Sequence, residues 1–306
     1  VLDTGAGKVF KIVDGENEEI AFIDQGLDNF AINADDEIFV SSYSEGSIVK
    51  ITQDSIEEIL PGGIAHAGGL AVIDENIMIA DIQSVKAYNS NDGKEAWNYK
   101  NTFRVSPIGA NTAISSFGDY AILTSWVDNS LKIMKPDTGE IIESLEGLNM
   151  PVSATKFQDS IAVAMHGDKS ITLLNFDGRA PRKLADGFLA PTHVVNYEGG
   201  LLVSDRERGE LIKIDVDGAK SVLVDNLNSP EGIAIKGNSI FVFEGDTGEI
   251  KEILNDEISV IAKVLPGTPA LSTLQPPSVI FNGIVAHNDY LYIAGEIEKI
   301  LFRLSL

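Results

Sequence analysis

Four residues of this chain carry the oxygen atoms that a hard cation such as Ca²⁺ prefers: Asp28, Asn111, Glu231 and Asn282. Each stands two residues ahead of an apolar anchor, namely Phe30, Ala113, Ile233 and Ile284. Two histidines, His166 and His193, could serve as general base and electrophile, or ligate a transition metal. Tyr43, Trp126, Asp205, Arg206 and Glu244 close or directly follow short hydrophobic runs, where they could line a ligand site. The plainer alternative is that these polar groups cap strand ends and hydrogen-bond to water. Of the other two histidines, His66 precedes Gly68-Gly69 and fits either role, whereas His287 is expected in a surface turn. Other chemistry is not indicated. No cysteine occurs, so there is no thiolate nucleophile, thiolate metal site or disulfide framework. No Gly-x-Ser-x-Gly, Gly-x-Gly-x-x-Gly or P-loop is present, which leaves serine hydrolysis and nucleotide cofactors without support.

These residues recur because the chain recurs. Anchored on Phe30, Leu70, Ala113, Ala154, Val194, Ile233 and Ile284, a phrase of short strands repeats every forty residues or so. The clearest copy runs Ser229-Pro230-Glu231-Gly232-Ile233, then Ile240-Phe241-Val242-Phe243, then Gly248-Glu249-Ile250-Lys251. Such a period with several strands per copy is the signature of a β-propeller. Second strands such as Leu201-Leu202-Val203 are continuously apolar, as strands packed on both faces should be. Third strands such as Leu211-Ile212-Lys213-Ile214 alternate, as half-solvated strands do. Asp14-Gly15, Asp92-Gly93, Asp177-Gly178 and Asp217-Gly218 supply the tight turns that follow them.

The expected architecture is all-β: one domain over 1–306, a seven-bladed β-propeller of four-stranded antiparallel blades. The last blade, ending in Ile300-Leu301-Phe302-Arg303-Leu304, is expected to be closed by the N-terminal strand Glu19–Ile23. Val9–Val13 then stands as a surplus third strand. In such a ring the starts of first strands and the ends of second strands meet at one mouth, the expected ligand site. The segment 265–279, rich in proline, lengthens the last repeat and returns to that mouth as a candidate lid.

The formal charge of −23 argues against nucleic acid and anionic membrane surfaces as partners. No apolar run reaches membrane-spanning length. The chain begins at Val1 and lacks an Asn-x-Ser/Thr sequon, and a secreted or periplasmic bacterial or archaeal protein is expected.

Phe281-Asn282-Gly283-Ile284 and Ser229-Pro230-Glu231-Gly232-Ile233 resemble the repeats of SMP-30/gluconolactonase/strictosidine-synthase-like and NHL-type propellers. The resemblance implies a divalent cation that polarises a substrate carbonyl, with Glu231 and Asn282 matching the ligand motifs directly and Asn111 and Asp28 by repeat alignment. It departs from the lactonases in two ways. They are six-bladed, and their Glu-Gly-Pro motif is replaced here by Leu27-Asp28-Asn29. Seven copies with Asp-Gly turns look instead like YVTN/YncE-like propellers. The first functional expectation is therefore a soluble, monomeric propeller that binds a small molecule or a protein at one mouth. The alternatives are a hydrolase or lactonase dependent on Ca²⁺ or another divalent cation, and an acidic interaction scaffold.

Overall fold

The computed structural model describes residues 1–306 apart from 53, 101–106, 176–179, 268–274, 277–279 and 282. The described residues form thirty strands in eight antiparallel sheets and no helix. The first sheet holds β1 (Leu2–Asp3), β2 (Lys8–Val13) and β3 (Glu16–Phe22). The second holds β4 (Leu27–Ile32), β5 (Ile38–Ser42), β6 (Ile48–Ile51) and β7 (Ile56–Leu60). Then come β8 (Ala67–Ile73), β9 (Asn76–Asp81), β10 (Ser84–Asn89) and β11 (Glu95–Lys100), followed by β12 (Ala113–Phe117), β13 (Tyr120–Ser125), β14 (Ser130–Met134) and β15 (Ile141–Glu146). The fifth sheet is β16 (Pro151–Phe157), β17 (Ser160–Met165), β18 (Ser170–Leu174) and β19 (Arg182–Asp186). The sixth is β20 (Pro191–Tyr197), β21 (Gly200–Asp205), β22 (Glu210–Ile214) and β23 (Lys220–Val224). The seventh is β24 (Pro230–Lys236), β25 (Ser239–Glu244), β26 (Glu249–Leu254) and β27 (Glu257–Lys263), and the last is β28 (Ile284–His287), β29 (Tyr290–Gly295) and β30 (Ile300–Ser305).

Every sheet is a meander of neighbouring strands, as short turns at the strand ends dictate. The core lies between sheets rather than within them. Ile122, Leu131 and Ile133 of one sheet meet Ala154, Ile161, Val163 and Met165 of the next. First strands pack in succession: β8 on β12, then β16, β20, β24 and β28. The succession then returns, because β8 also packs on β28 and β29. Gly68 and Gly283 make that junction close: a Cβ on Gly283 would lie 2.6 Å from the Gly68 carbonyl oxygen and from the Leu70 nitrogen. Across the outer part of the same junction, Tyr292 Oη and Arg303 Nη1 donate to the Ser90 carbonyl at 3.3 and 3.1 Å.

Two expectations are not met. The seven-blade count is not reproduced: the described sheets number eight, and six of them follow one another around the ring. The last sheet is not closed by Glu19–Ile23 either. Residues 19–22 of that segment belong to β3, which pairs with β2, the strand expected to be surplus. The reason is local. Asp14 and Gly15 take positive φ (52° and 89°) and close a two-residue hairpin, a far smaller loop than one reaching β30.

The first two sheets carry their own apolar cluster of Val9, Ala21, Leu27, Val40 and Ile51, with Leu2, Ile20 and Ile23 against it. Polar groups tie them to the ring. Lys86, fully buried, lies 3.2 Å from Glu45 and 3.5 Å from Asp81, and also donates to the Gly63 carbonyl. Lys100 bridges Asp24 at 2.5 Å and Glu45 at 2.9 Å, and Asn98 Nδ2 donates to Glu45 at 2.9 Å.

Candidate functional site

Antiparallel pairing brings the start of each first strand beside the end of its second strand, so the six ring sheets present both at one mouth. The second strands end in a recurring device. Asp81, fully buried, accepts the N–H groups of Ala65 (2.9 Å) and His66 (2.5 Å). Asp205, also fully buried, accepts those of Leu189 (2.9 Å) and Ala190 (2.8 Å), with Arg208 Nε at 3.2 Å. Glu244 accepts the Asn228 N–H at 2.8 Å, Thr247 Oγ1 at 3.0 Å and Lys251 Nζ at 2.7 Å. Burial pushes the Glu244 carboxyl up, but the Lys251 and Asn228 donors outweigh it and hold it below the usual range. In each sheet the carboxylate pins the loop that feeds the same sheet's first strand. Asp205 and Glu244, expected to line a ligand site, thus hold backbone amides.

One step along from these pins lies a charged row. Arg206 Nε donates to Glu231 Oε1 at 3.1 Å, and Arg206 Nη2 donates to Asp246 Oδ1 at 2.7 Å. Ser229 Oγ donates to Asp246 Oδ2 at 2.7 Å. Glu231 is fully buried, whereas Arg206 keeps part of its side chain in solvent. Asp246 was not singled out in the sequence; its signal is the Gly-Asp-Thr-Gly turn at 245–248.

Both histidines of the mouth are held neutral. Burial pushes His193 down to about 4. Its Nδ1 accepts the Ile233 N–H from the adjacent sheet at 3.0 Å, so its ring proton sits on Nε2. Burial also pushes His166 down to about 4, aided by Lys169 and opposed by Asp205. His166 is 7% exposed, and its Nδ1 is buried without a hydrogen-bond partner among the described residues. Trp126 follows β13 and packs against a cluster containing Val152, Phe188 and Phe281.

The four oxygen ligands are distributed differently from one another. Asp28 is exposed on β4, in a sheet outside the ring succession, and Tyr43 follows β5 of that same sheet. Asn282 lies outside the described residues, as does most of segment 265–279. Asn111 is 1% exposed and bridges to Ile82 of the preceding sheet. Its Nδ2 donates to the carbonyls of Ile108 (3.2 Å) and Gly109 (3.3 Å), and its Oδ1 is buried without a partner among the described residues. Strand pairing also shifts its place in the repeat. Ala113 pairs with Thr124 as His193 pairs with Ser204, which makes Thr112 the counterpart of Thr192. Pro191 and Pro230 both pair with the last residue of their second strands, which makes Thr192 the counterpart of Glu231. Asn111 therefore sits one residue ahead of the Glu231 position, because pairing makes Ile114, not Ala113, the counterpart of Val194 and Ile233. No group of three or more His, Asp or Glu side chains close enough to hold a metal is found among the described residues. No helix among them is long and apolar enough to cross a membrane.

No family model matches the chain, and no curated protein matches it. Solved structures do match in fold. Virginiamycin B lyase from Staphylococcus aureus aligns with 92% of this chain and 95% of its own at 15% identity, with a TM-score of 0.56. A structure of unknown function from Bacteroides thetaiotaomicron covers 97% and 90% at 11% identity, with a TM-score of 0.63. The β-propeller domain of Cps50 (Swd1) from Myceliophteria thermophila covers 92% and 97% at 12% identity, with a TM-score of 0.50. At these identities the likeness is one of fold: the chain shares the β-propeller architecture of these proteins.

Proposed function

We propose that the protein is a binding propeller whose ligand, a neutral polar small molecule or peptide segment, sits at the mouth bearing His166, His193 and Asn111. The observation that carries this reading is the pair of buried atoms, His166 Nδ1 and Asn111 Oδ1, that have no partner among the described residues at one mouth. A buried polar atom left unmet costs about 1–3 kcal/mol, so such atoms are normally met by water or a ligand. The groups offered are a neutral imidazole, an amide oxygen and the Nε2–H of His193. They suit uncharged donors and acceptors such as amides and hydroxyls. The carboxylates of the same region are committed to Arg206, Lys251 and backbone amides, which is why the cation-dependent hydrolase reading ranks second. Melting of the protein against a panel of neutral amides, polyols and short peptides, and against Ca²⁺, Mg²⁺, Mn²⁺ and Zn²⁺, tests the reading. A neutral compound that raises Tm in the native protein and not in His166→Phe supports it. A rise with a divalent cation alone, lost in Glu231→Gln, would overturn it in favour of the hydrolase.

A further inference from the structure

Where the sheet β8–β11 meets the last sheet, a cavity of about 470 Å³ lies between residues of β9 and β10 and those of β29 and β30. That volume is in the range of small-molecule sites. Its floor is apolar and already packed: Ile77 is fully buried, Ile64 and Tyr292 are buried, and Tyr88 and Leu301 pack on the same cluster. Two cations also line it, Lys299 and Arg303. Arg303 is held in place, with its guanidinium carbon 4.6 Å from the centre of the Tyr290 ring and Nη1 donating to the Ser90 carbonyl at 3.1 Å. Neither cation meets a carboxylate among the described residues. Asp92, which lines the same cavity, lies 3.3 Å from Lys94 instead. Two unanswered cations in one cavity stand out in a chain with 46 Asp and Glu against 23 Lys and Arg. The Tyr88 hydroxyl also makes no hydrogen bond among the described residues. Burial first, then the charges of Glu95, Asp81 and Glu45, hold it above its usual range, so it stays a donor.

We propose that this cavity binds a small organic carboxylate with an apolar tail, the tail against Ile64, Ile77 and Leu301 and the carboxylate at Lys299 and Arg303. Charge complementarity selects the head group. Nε and Nη2 of Arg303 have no partner among the described residues, and a guanidinium with two such donors suits a planar carboxylate. Lys299 adds a point charge, and Tyr88 a neutral donor. The apolar floor selects the tail, because covering it removes hydrocarbon from water on both sides. A bare anion such as acetate gains the charged contacts alone. An alcohol with the same tail leaves both cations unanswered, and an amine is repelled by them. The cavity shares no residue with the mouth that bears His166, His193 and Asn111, so the two sites stand or fall separately.

Isothermal titration calorimetry of the full chain with octanoate, 1-octanol, octylammonium and acetate tests the proposal. Octanoate should bind at one site per chain, about tenfold or more tighter than each of the other three. Arg303→Gln should weaken octanoate by about tenfold, since a hydrogen bond between charged groups is lost. That variant also loses the bond to Ser90 and could disturb the sheet junction. Lys299→Glu is free of this difficulty, because Lys299 is exposed and its side chain has no partner among the described residues. It reverses a charge at the site and should weaken octanoate by about tenfold while melting stays as in the native protein. His166→Phe should bind octanoate as the native protein does. The proposal is overturned if octanoate does not bind, if octylammonium or 1-octanol binds as tightly, or if Lys299→Glu leaves the affinity for octanoate unchanged.

Discussion

Acid should undo this fold through two imidazoles. His166 and His193 are held at about 4 by burial, against 6.5 in an unfolded chain. As pH falls, the unfolded state takes up protons first, so the stability these rings contribute by staying neutral is present above pH 6.5 and is lost on the way down to about pH 4. At about 1.4 kcal/mol per pH unit, the full interval is worth about 3 kcal/mol for each ring. Protonation of Asp and Glu overlaps at the lower end, so the contribution must be isolated by substitution. His166→Gln removes one titration, and His193→Asn keeps an acceptor near the place of Nδ1 for the Ile233 N–H. Urea unfolding of the three proteins between pH 7 and 4.5, fitted for ΔG at each pH, gives the comparison. The native protein should lose about 2 kcal/mol more than each single variant over that range, and the double variant should be flatter still. Parallel ΔG–pH curves for native and variant proteins would show that the rings are solvated enough to titrate normally, and the reasoning would fail.

Three further outcomes follow. Lys86→Met leaves Asp81 and Glu45 short of their buried cation; it should destabilise by about 3–5 kcal/mol and make the Glu45-bearing segment more open to limited proteolysis. Asp205→Asn puts an amide where two backbone N–H groups donate; a loss of about 1–3 kcal/mol in urea unfolding is expected, and none would mean that the loop is held by packing alone. Gly209→Ala and Gly199→Ala both force alanine into positive φ, but a Cβ at Gly209 would also lie 2.5 Å from the Leu227 carbonyl oxygen while one at Gly199 meets open space. The first should therefore lower Tm clearly more than the second.

The repeat was legible because each strand's burial is written in its own residues: Leu201-Leu202-Val203 is apolar on both faces, and the structure buries it. Which repeats join the ring was not legible. Phe30 and Leu70 occupy the same position in strands of the same apolar pattern, and packing between sheets leaves one open and the other covered. The same limit explains the closing strand. The sequence of β3 suits either β2 or β30, and the short turn at Asp14-Gly15 settles it. At the mouth, the polar residues ending second strands were visible, but their work was not. A carboxylate that holds two amides and one that awaits a ligand look alike until the loop fifteen or sixteen residues upstream is in place. Asn111 was misaligned by one residue because Ala113 and Ile114 are both apolar, and only strand pairing shows that Ile114 is the counterpart of Val194.

The carboxylates that end β9, β21 and β25 have an evolutionary consequence. Each ties a loop to a strand of its own sheet, leaving neighbouring sheets out of the bond. A substitution in one such loop therefore acts first on its own sheet, and reaches the next one only through cross-sheet bonds such as that of Arg206 with Glu231. The mouth can be rewritten one sector at a time, so a lineage could exchange one set of surface groups for another while the scaffold stays intact.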